Sequence, residues 1–465
     1  MSGESRGTAA EPPARALKRT MRVFGTLLLT LSSVTPASSV FVIVPGVISQ
    51  AGSGAFLSML LAAILAVPVA FIYAELSSAF PIAGGEYSIV ARAVGPGAGF
   101  AILGVTVVGN MLAPAVLSLG ASTYIAAVVP GLNPIAVAIA IIAVTTIMGV
   151  LHIRTNAWVT GFFLFLELLA LAALATLGFL HAARPLSELA FHPVVISGGG
   201  MHATPLAMIG LATSVATFAY NGYGSAVYFA EEMHEAPRLI AKTILWALVV
   251  TVAAEFIPVT AVLLGAPDLK ALLSSDSPFS DFVSAVGGRT FSIVVSLSIA
   301  LAILNAVLAT VLQNGRFFYS TGRDSAWHGR INSLFMLTHV RFHSPWAATL
   351  VAGLSAIAMC FIGLNQLLVL TGAGILMTYI ALCIATLTGR WTGATAQAPY
   401  RMGLFPLYPV IGLITLGYVV YTNWLDADVG RTSLIATFVV MALSMAYYYL
   451  FLRRRGGWLL RDPEG

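Results

Sequence analysis

Two polar interruptions of apolar segments carry the residues with which this chain could bind a solute. The first lies in FAYNGYGSAVYFAEEMHEAPR (218–238), where Asn221 and Gly222 interrupt an apolar run. Glycine and asparagine weaken a helix, and the peptide groups that they free have no water to bond in apolar surroundings. Free amides and carbonyls of this kind are ligands for a polar solute.

The second interruption lies in SSVTPASSVFVIVPG (32–46), a stretch with four serines and a threonine. Pro36 removes a helix hydrogen bond and disfavours helical geometry at Thr35. A simple proline kink, with the hydroxyl groups bonded to the preceding turn, is the alternative interpretation of this stretch taken alone.

Two carboxylates lie deep in apolar segments, Glu167 in FLFLELLAL and Glu255 in VAAEFIPV. A charge at the centre of a bilayer costs roughly 2.5–3.5 kcal/mol, so each group needs a polar neighbour or a proton. For Glu255 we favour a protonated, hydrogen-bonded structural carboxyl group.

Other chemistries find little support in the sequence. His339 and His343 have the i, i+4 spacing of metal ligands, but they flank Arg341 in a basic loop without an acid nearby, so we predict no metal site. No ATPase motif and no nucleophile–base pair is recognisable, so the sequence predicts that the protein is not an enzyme and needs no cofactor.

Cys360 and Cys383 lie in apolar segments and are interpreted as small core residues.

The composition predicts a helical protein that crosses a membrane several times. Of 465 residues, 58% are hydrophobic and only 9% are charged, whereas a soluble protein has about a quarter charged residues. No charged residue occurs from Val23 to Ala74 or from Ala93 to Ile153. Each of these runs is long enough for two or more spans of about 20 residues.

Glycine, proline and charges divide the chain into twelve predicted spans, near 24–49, 54–80, 97–129, 133–151, 157–181, 206–231, 240–265, 290–314, 345–363, 365–389, 403–422 and 432–452. Of the 23 lysines and arginines, all but Arg184, Lys270, Arg289 and Arg431 fall on one side of these spans. This asymmetry predicts a cell-membrane protein with both termini in the cytoplasm, and it explains the basic charge without a nucleic-acid partner. The segments 1–22 and 453–465 are then cytoplasmic tails, the first of them disordered.

The two interruptions fall in spans 1 and 6, which are five spans apart and therefore of opposite topology. This pattern predicts an inverted repeat of 23–182 (spans 1–5) and 206–390 (spans 6–10), followed by two further spans in 403–452. Broken helices at matching positions of two halves predict a substrate site at the membrane midplane. A channel would not need such paired breaks, and rings of charge or a filter loop are not recognisable.

Four stretches resemble the amino acid–polyamine–organocation (APC) permeases, which share the LeuT-type fold. They are YAELSSAFPIAGGEYSIV (73–90), the broken segment 218–238 with its Glu…Pro-Arg ending, NGRFFYSTGRDSAW (314–327) and LTGAGILMTYIALCIATLTGR (370–390). The resemblance covers nearly the whole chain. It implies an all-α membrane fold with 5+5 inverted repeats plus two C-terminal helices.

The resemblance also implies a substrate site in span 6. Phe218 matches the aromatic residue that closes over the substrate, and the backbone carbonyls of Ala219, Tyr220, Asn221 and Gly222 would meet its amino group. Gly224 stands where some arginine and polyamine exchangers have an acid, which tells against a dibasic substrate.

In span 1 the family holds a substrate carboxylate on a glycine-serine-glycine cradle of amides. One alignment puts this cradle at Ser38, Ser39 and Val40, and another puts it at Ala37, Ser38 and Ser39; Thr35 at the break completes the predicted site. Both glycines are replaced in either register, which weakens the assignment of an amino acid substrate.

Glu167 stands in LELLALAAL where several proton-coupled members of the family have a lysine, near the position of the sodium site in related transporters. Three roles follow for Glu167: it takes up and releases a proton, it binds a cation, or it stabilises the contact of spans 1 and 8. Asn305 on span 8 is its predicted polar partner.

The sequence thus predicts a secondary active transporter for amino acids that works by alternating access, coupled to protons or exchanging substrates, in a lipid bilayer. The alternative substrate is a small amine without a carboxylate, such as an alkanolamine, monoamine or polyamine. A channel or a nutrient sensor on the same fold is a more remote alternative. Monomer and homodimer both stay open.

Overall fold

The structure is a computed structural model that describes residues 21–129, 131–151, 153–342, 344–455, 458 and 460. The predicted cytoplasmic tail before residue 21, most of the predicted tail 453–465 and His343 of the histidine pair lie outside the described residues.

Helices make up most of the described chain, in agreement with the composition. The α-helices are α1 (Val23–Val34), α2 (Pro36–Ser38), α3 (Val44–Ala51), α4 (Ala55–Ala79), α5 (Glu86–Ala93), α6 (Pro96–Val128), α7 (Pro134–Gly149), α8 (Ile153–Leu180), α9 (Leu186–Phe191), α10 (Leu206–Tyr220), α11 (Ala236–Gly265), α12 (Leu269–Leu273), α13 (Pro278–Arg323), α14 (Gly329–Phe335), α15 (Trp346–Met359), α16 (Leu364–Thr392), α17 (Leu407–Leu425) and α18 (Gly430–Tyr447). Turns of π-helix cover Ser39–Ile43 and Tyr448–Leu452, and 3₁₀ turns cover Gly52–Gly54, Tyr223–Glu232 and Arg453–Arg455.

One antiparallel hairpin, which the sequence did not predict, joins α9 to α10. It pairs β1 (Val194–Ser197) with β2 (Gly200–Ala203), and Val194 lies opposite Ala203. The amide of Val194 donates to the hydroxyl of Ser53 at 2.8 Å, which fixes the hairpin against the turn that follows α3.

Seven helical stretches of the described chain are long and apolar enough to cross a membrane: Val23–Ala79, Pro96–Ser122, Thr160–Leu180, Ala236–Gly265, Ile293–Arg323, Leu364–Thr392 and Gly430–Leu452. The first has 57 residues, far more than the 20 or so that one crossing needs, and a turn at Gly52–Gly54 divides it. Two shorter apolar helices, α7 and α15, lie beside them. These lengths and compositions describe a protein that crosses the membrane repeatedly.

Helix α13 is longer than the predicted span 290–314. It runs for 46 residues and is bent at Gly288, whose φ of 77° is outside the helical region. At the other end it continues to Arg323, because Arg316 and Arg323 are buried beside carboxylate partners.

The short helix α2 lies where three long helices meet. It contacts α8, α11 and α13. Helix α11 in turn packs along α4 and α8, and α18 lies against α6 and α16. The first broken segment is therefore enclosed by the middle of the bundle.

Candidate functional site

The first predicted break is present at Thr35. Helix α1 ends at Val34, Thr35 adopts a left-handed conformation (φ 54°, ψ 67°), and α2 begins with Pro36. A left-handed non-glycine residue costs about 1–3 kcal/mol and persists only where the surroundings impose it. The following π-helical turn then leads into α3.

The second predicted break is present at Asn221 and Gly222. Helix α10 ends at Tyr220, Asn221 is extended (φ −65°, ψ 147°), and Gly222 has a φ of 122°. A Cβ atom on Gly222 would lie 2.9 Å from the Cα of Val34. Only glycine allows the two breaks to approach this closely.

A cavity of about 190 Å³ lies between the two breaks. Of the predicted substrate-binding residues, Thr35, Ser39, Phe218, Asn221 and Gly222 line it. The others, Ser38, Val40, Ala219 and Tyr220, are buried outside the lining. Several further polar residues of the lining were not predicted: Thr106, Asn110, Thr310, Gln313, Thr371, Thr378 and Thr437. These come from α6, α13, α16 and α18, and each is an isolated polar residue on a helix, without a break to mark it in the sequence.

Two hydrogen bonds join the broken segments to each other and to α16. The Ser39 hydroxyl donates to the carbonyl of Ala219 at 2.9 Å. The Tyr379 hydroxyl donates to the side-chain carbonyl of Asn221 at 3.1 Å. The Ala219 carbonyl, which was predicted to meet a substrate amino group, thus already accepts a hydrogen bond from Ser39.

Glu167 binds the first break directly. Its Oε1 accepts the amide of Ala37 at 3.2 Å, and the amide of Ser38 also faces this carboxyl group. Glu167 is buried, and its Oε2 has no hydrogen-bond partner among the described residues. Two amides of the predicted span 1 cradle, in its second register, are therefore occupied by a side chain of this protein.

The predicted pairing of Asn305 with Glu167 is not present as a hydrogen bond. The side-chain amide of Asn305 donates instead to the carbonyl of Thr160 at 3.4 Å. Thr160 and Glu167 are both on α8, so Asn305 contacts the correct helix, about two turns away from the predicted partner.

Glu86 is the one carboxylate among the described residues that line the cavity, and lysine, arginine and histidine do not occur among them. Its Oε1 accepts the Tyr73 hydroxyl at 2.7 Å, and its Oε2 accepts the Tyr228 hydroxyl. The rings of Tyr73 and Tyr379 meet edge to face at 6.0 Å. The cavity is thus mostly apolar, with scattered polar groups, and nearly free of charge.

Three buried ion pairs lie beyond this tyrosine cluster: Arg323–Glu231 at 2.8 Å, Arg316–Glu232 at 2.7 Å and Arg390–Glu75 at 2.6 Å. They connect the segment after the second break to α13, and α4 to α16.

A bundle of membrane-crossing helices with a cavity between two broken helices is the architecture of a membrane transport protein. Comparison with known proteins makes the class specific: the chain belongs to the amino acid permease family, whose profile, described as "Amino acid permease", matches residues 21–447. It is therefore a transporter and not an enzyme, in agreement with the prediction.

Three relatives illustrate the range of the family. The branched-chain amino acid permease BcaP of Bacillus subtilis is 21% identical over 467 residues, covering 96% of each chain. A methylthioribose transporter of the same organism is 25% identical over 464 residues, again covering 96% of each. The Asc-type amino acid transporter 1 of Mus musculus is 25% identical over 432 residues, covering 88% of this chain and 77% of the relative.

Proposed function

We propose that this protein is a secondary active transporter of neutral amino acids that works by alternating access. Its twelve spans would form the inverted repeats 23–182 and 206–390 followed by the spans of 403–452, in the cell membrane with both termini cytoplasmic. The two breaks support this organisation, because each falls in the first helix of its repeat. The broken helices would tilt against the rest of the bundle to open the cavity to one side at a time.

The cavity between the two breaks carries the proposal. Substrate would lie between Thr35–Ser39 on one side and Phe218–Gly222 on the other, where backbone groups and hydroxyls can bind its ammonium and carboxylate. A charged substrate side chain would need a countercharge in the cavity. The single carboxylate of the lining, Glu86, already accepts two tyrosine hydroxyls, which favours a neutral side chain.

Glu167 would couple transport to a proton. In its ionised form it is a strong acceptor for the amide of Ala37, and a proton on this carboxyl would weaken that bond, since charge-assisted hydrogen bonds are about twice as strong as neutral ones. Protonation would therefore loosen the first break from α8. Coupling by substrate exchange alone is the competing mechanism.

A substrate without a carboxylate is the second candidate. Glu167 occupies the amides on which a substrate carboxylate would bind in the second register, and both cradle glycines are replaced. One relative of the same length is named as a transporter of methylthioribose. A small amine or a neutral sugar derivative would need no anion site.

A thermal-shift screen of the detergent-purified protein distinguishes the candidates. It compares L-alanine with ethylamine, L-serine with ethanolamine and L-lysine with cadaverine at two pH values, with methylthioribose as a further ligand. Neutral amino acids should raise the melting temperature, whereas the lysine pair should not.

Stabilisation by the amines or by methylthioribose, but not by the amino acids, would overturn the neutral amino acid assignment. Proteoliposomes that exchange none of these compounds would contradict transport itself.

A further inference from the structure

A second buried carboxyl group lies next to the first break, and the proposed mechanism does not yet use it. Glu255 is on α11 with no exposed surface, and neither of its oxygens has a hydrogen-bond partner among the described residues. The Ser39 hydroxyl, which donates to the carbonyl of Ala219, lies beside this carboxyl group. The protonated, structural role expected for Glu255 from the sequence stays a prediction.

Several polar groups near Glu255 also lack hydrogen-bond partners among the described residues. Its electrostatic neighbours are Glu167 from α8 and Tyr220 from α10. The Oε2 of Glu167, the hydroxyl of Tyr220 and the hydroxyl of Ser38 also lack hydrogen-bond partners in the described part of the chain. Two carboxyl groups and two hydroxyl groups with unsatisfied hydrogen-bonding capacity thus concentrate around α2, and none of these groups is a cation.

A cation that would compensate Glu255 is not found among the described side chains of the elements that pack against α11. The charged residues of α4, of the 3₁₀ turn Tyr223–Glu232 and of α9 have partners elsewhere: Glu75 with Arg390, Glu231 with Arg323, Glu232 with Arg316, and Glu188 with Arg184. On α11 itself, Arg238 and Lys242 are 17 and 13 residues from Glu255 in sequence, about 20 Å or more along the helix.

An ionised carboxylate that is fully buried without a countercharge is far too costly in such a place. We propose that Glu255 binds a proton in this conformation, and that Glu255 and Glu167 form a pair of proton-binding residues on either side of the segment Ala37–Ser39. This rests on the proposed function for its role in transport, although proton binding by Glu255 is testable without a substrate.

The pair connects proton binding to the position of both broken helices. Glu167 holds the amide of Ala37, and Ser39 lies beside Glu255 while it bonds to Ala219 in the second break. When the broken segments tilt, Ser39 moves away and water reaches both carboxyl groups. Glu255 can then release its proton to that water, and Glu167, freed from the amide of Ala37, can take one up. The closed arrangement forms again once Glu255 is protonated and Glu167 is ionised.

The first test needs no substrate. The melting temperature of the purified full-length protein is measured from about pH 5.5 to 8.5, where a conformation that binds protons loses stability as the pH rises. The wild type should melt at lower temperature at high pH, and Glu255→Gln should reduce or abolish this slope. Thr251→Val is the matched control, because Thr251 lies one turn before Glu255 with a buried, unpartnered hydroxyl; it should keep the wild-type slope.

The second test uses proteoliposomes and radiolabelled L-alanine. Glu255→Gln should retain counterflow of L-alanine but lose accumulation driven by a pH gradient. A wild-type melting slope or wild-type accumulation in Glu255→Gln would overturn the inference. If the wild type shows no counterflow of L-alanine, the proposed substrate is wrong, and the melting series still decides whether Glu255 binds a proton. Accumulation that depends on sodium ions and not on pH would overturn proton binding in favour of a cation.

Discussion

Glu167 takes the place of an anion at the first break. Backbone amides at the start of a helical segment favour negative charge, which is why bound carboxylates and phosphates occur there. In this protein the amides of Ala37 and Ser38 face a carboxyl group of α8. A substrate carboxylate that used these amides would have to displace Glu167, so the charge of Glu167 and the binding of substrate would be linked.

Replacing Glu167 separates hydrogen bonding from charge. In Glu167→Gln the side-chain carbonyl can still accept the amide of Ala37, but the side chain cannot exchange a proton. We expect L-alanine binding to remain measurable by thermal shift, whereas the pH dependence of uptake is lost. Glu188→Gln, which changes a half-exposed carboxylate on α9, should behave as wild type. Wild-type pH dependence in Glu167→Gln would contradict a coupling role.

The glycine of the second break is tested by adding one methyl group. Gly222→Ala puts a Cβ atom 2.9 Å from the Cα of Val34 and strains a φ of 122°, and we expect a lower melting temperature together with a loss of L-alanine binding. Gly95→Ala is the matched control, because Gly95 has a φ of 143° with nothing near its Cβ position. In Gly95→Ala the free energy of unfolding should fall only by the strain of this φ, about 1–3 kcal/mol. Equal effects of the two substitutions would show that the contact of the breaks is unimportant.

At the scale of helices, both breaks could be predicted from the sequence, because proline and glycine act on their own backbone. The turn at Thr35 follows from Pro36, and the turn at Gly222 follows from a glycine within an apolar run. The family resemblance implied a position for Glu167 near the contact of spans 1 and 8, and the structure shows its hydrogen bond to Ala37 in the first break. The predicted hydrogen-bond partner of Asn305 was wrong: Asn305 bonds to Thr160 and not to Glu167, about two turns further along α8. Which turn of α8 Asn305 reaches depends on how α8 and α13 are packed.

Other features depend on residues distant in sequence and could not be predicted. Arg390 bonds to Glu75, 315 positions away, and no local pattern selects that partner. The same holds for the part of the cavity lined by α18, a helix outside the predicted repeats. Thr437 looks like any other threonine of an apolar helix, and only the packing of α18 against α6 and α16 brings it to the cavity.

Helix α6 offers a way to narrow the cavity without disturbing the fold. Gly109 lines the cavity, and nothing lies within 4 Å of its Cβ position. Gly109→Leu should keep or raise the melting temperature, because leucine favours helix by up to about 1 kcal/mol over glycine. We expect uptake of L-leucine to fall more than uptake of L-alanine, since the new side chain fills the space needed by the larger substrate.

The matched control is Gly417→Leu on α17, an exposed position that is equally open but does not line the cavity. It should leave the ratio of the two uptake rates unchanged. An unchanged ratio in Gly109→Leu as well would mean that substrate does not occupy this part of the cavity.

At the scale of the whole molecule, buried ion pairs hold one end of the bundle together. Arg323 on α13 and Glu231 after the second break are both nearly inaccessible to solvent, and Nη1 of Arg323 contacts both carboxylate oxygens at 2.8 and 2.9 Å. Removing one partner of such a pair leaves a buried charge and costs roughly 3–5 kcal/mol, whereas removing both can be nearly neutral. The pair should therefore favour the conformation in which this end is closed.

A double-mutant cycle tests this closure. Arg323→Met and Glu231→Gln should each lower the melting temperature. The double variant should melt at a temperature closer to that of the wild type than either single variant. The double variant should also label faster with a membrane-impermeant maleimide at Asn221→Cys, introduced with Cys360→Ala and Cys383→Ala, because the end of the bundle nearest the pair opens more often.

The pair Arg184–Glu188 is the control, because Glu188 is half exposed and lies 4.0 Å from Arg184, and the corresponding cycle there should show little coupling. If the decreases in melting temperature of Arg323→Met and Glu231→Gln add in the double variant, and labelling at position 221 is unchanged, these ion pairs stabilise the fold equally in every conformation. They then do not control access to the cavity.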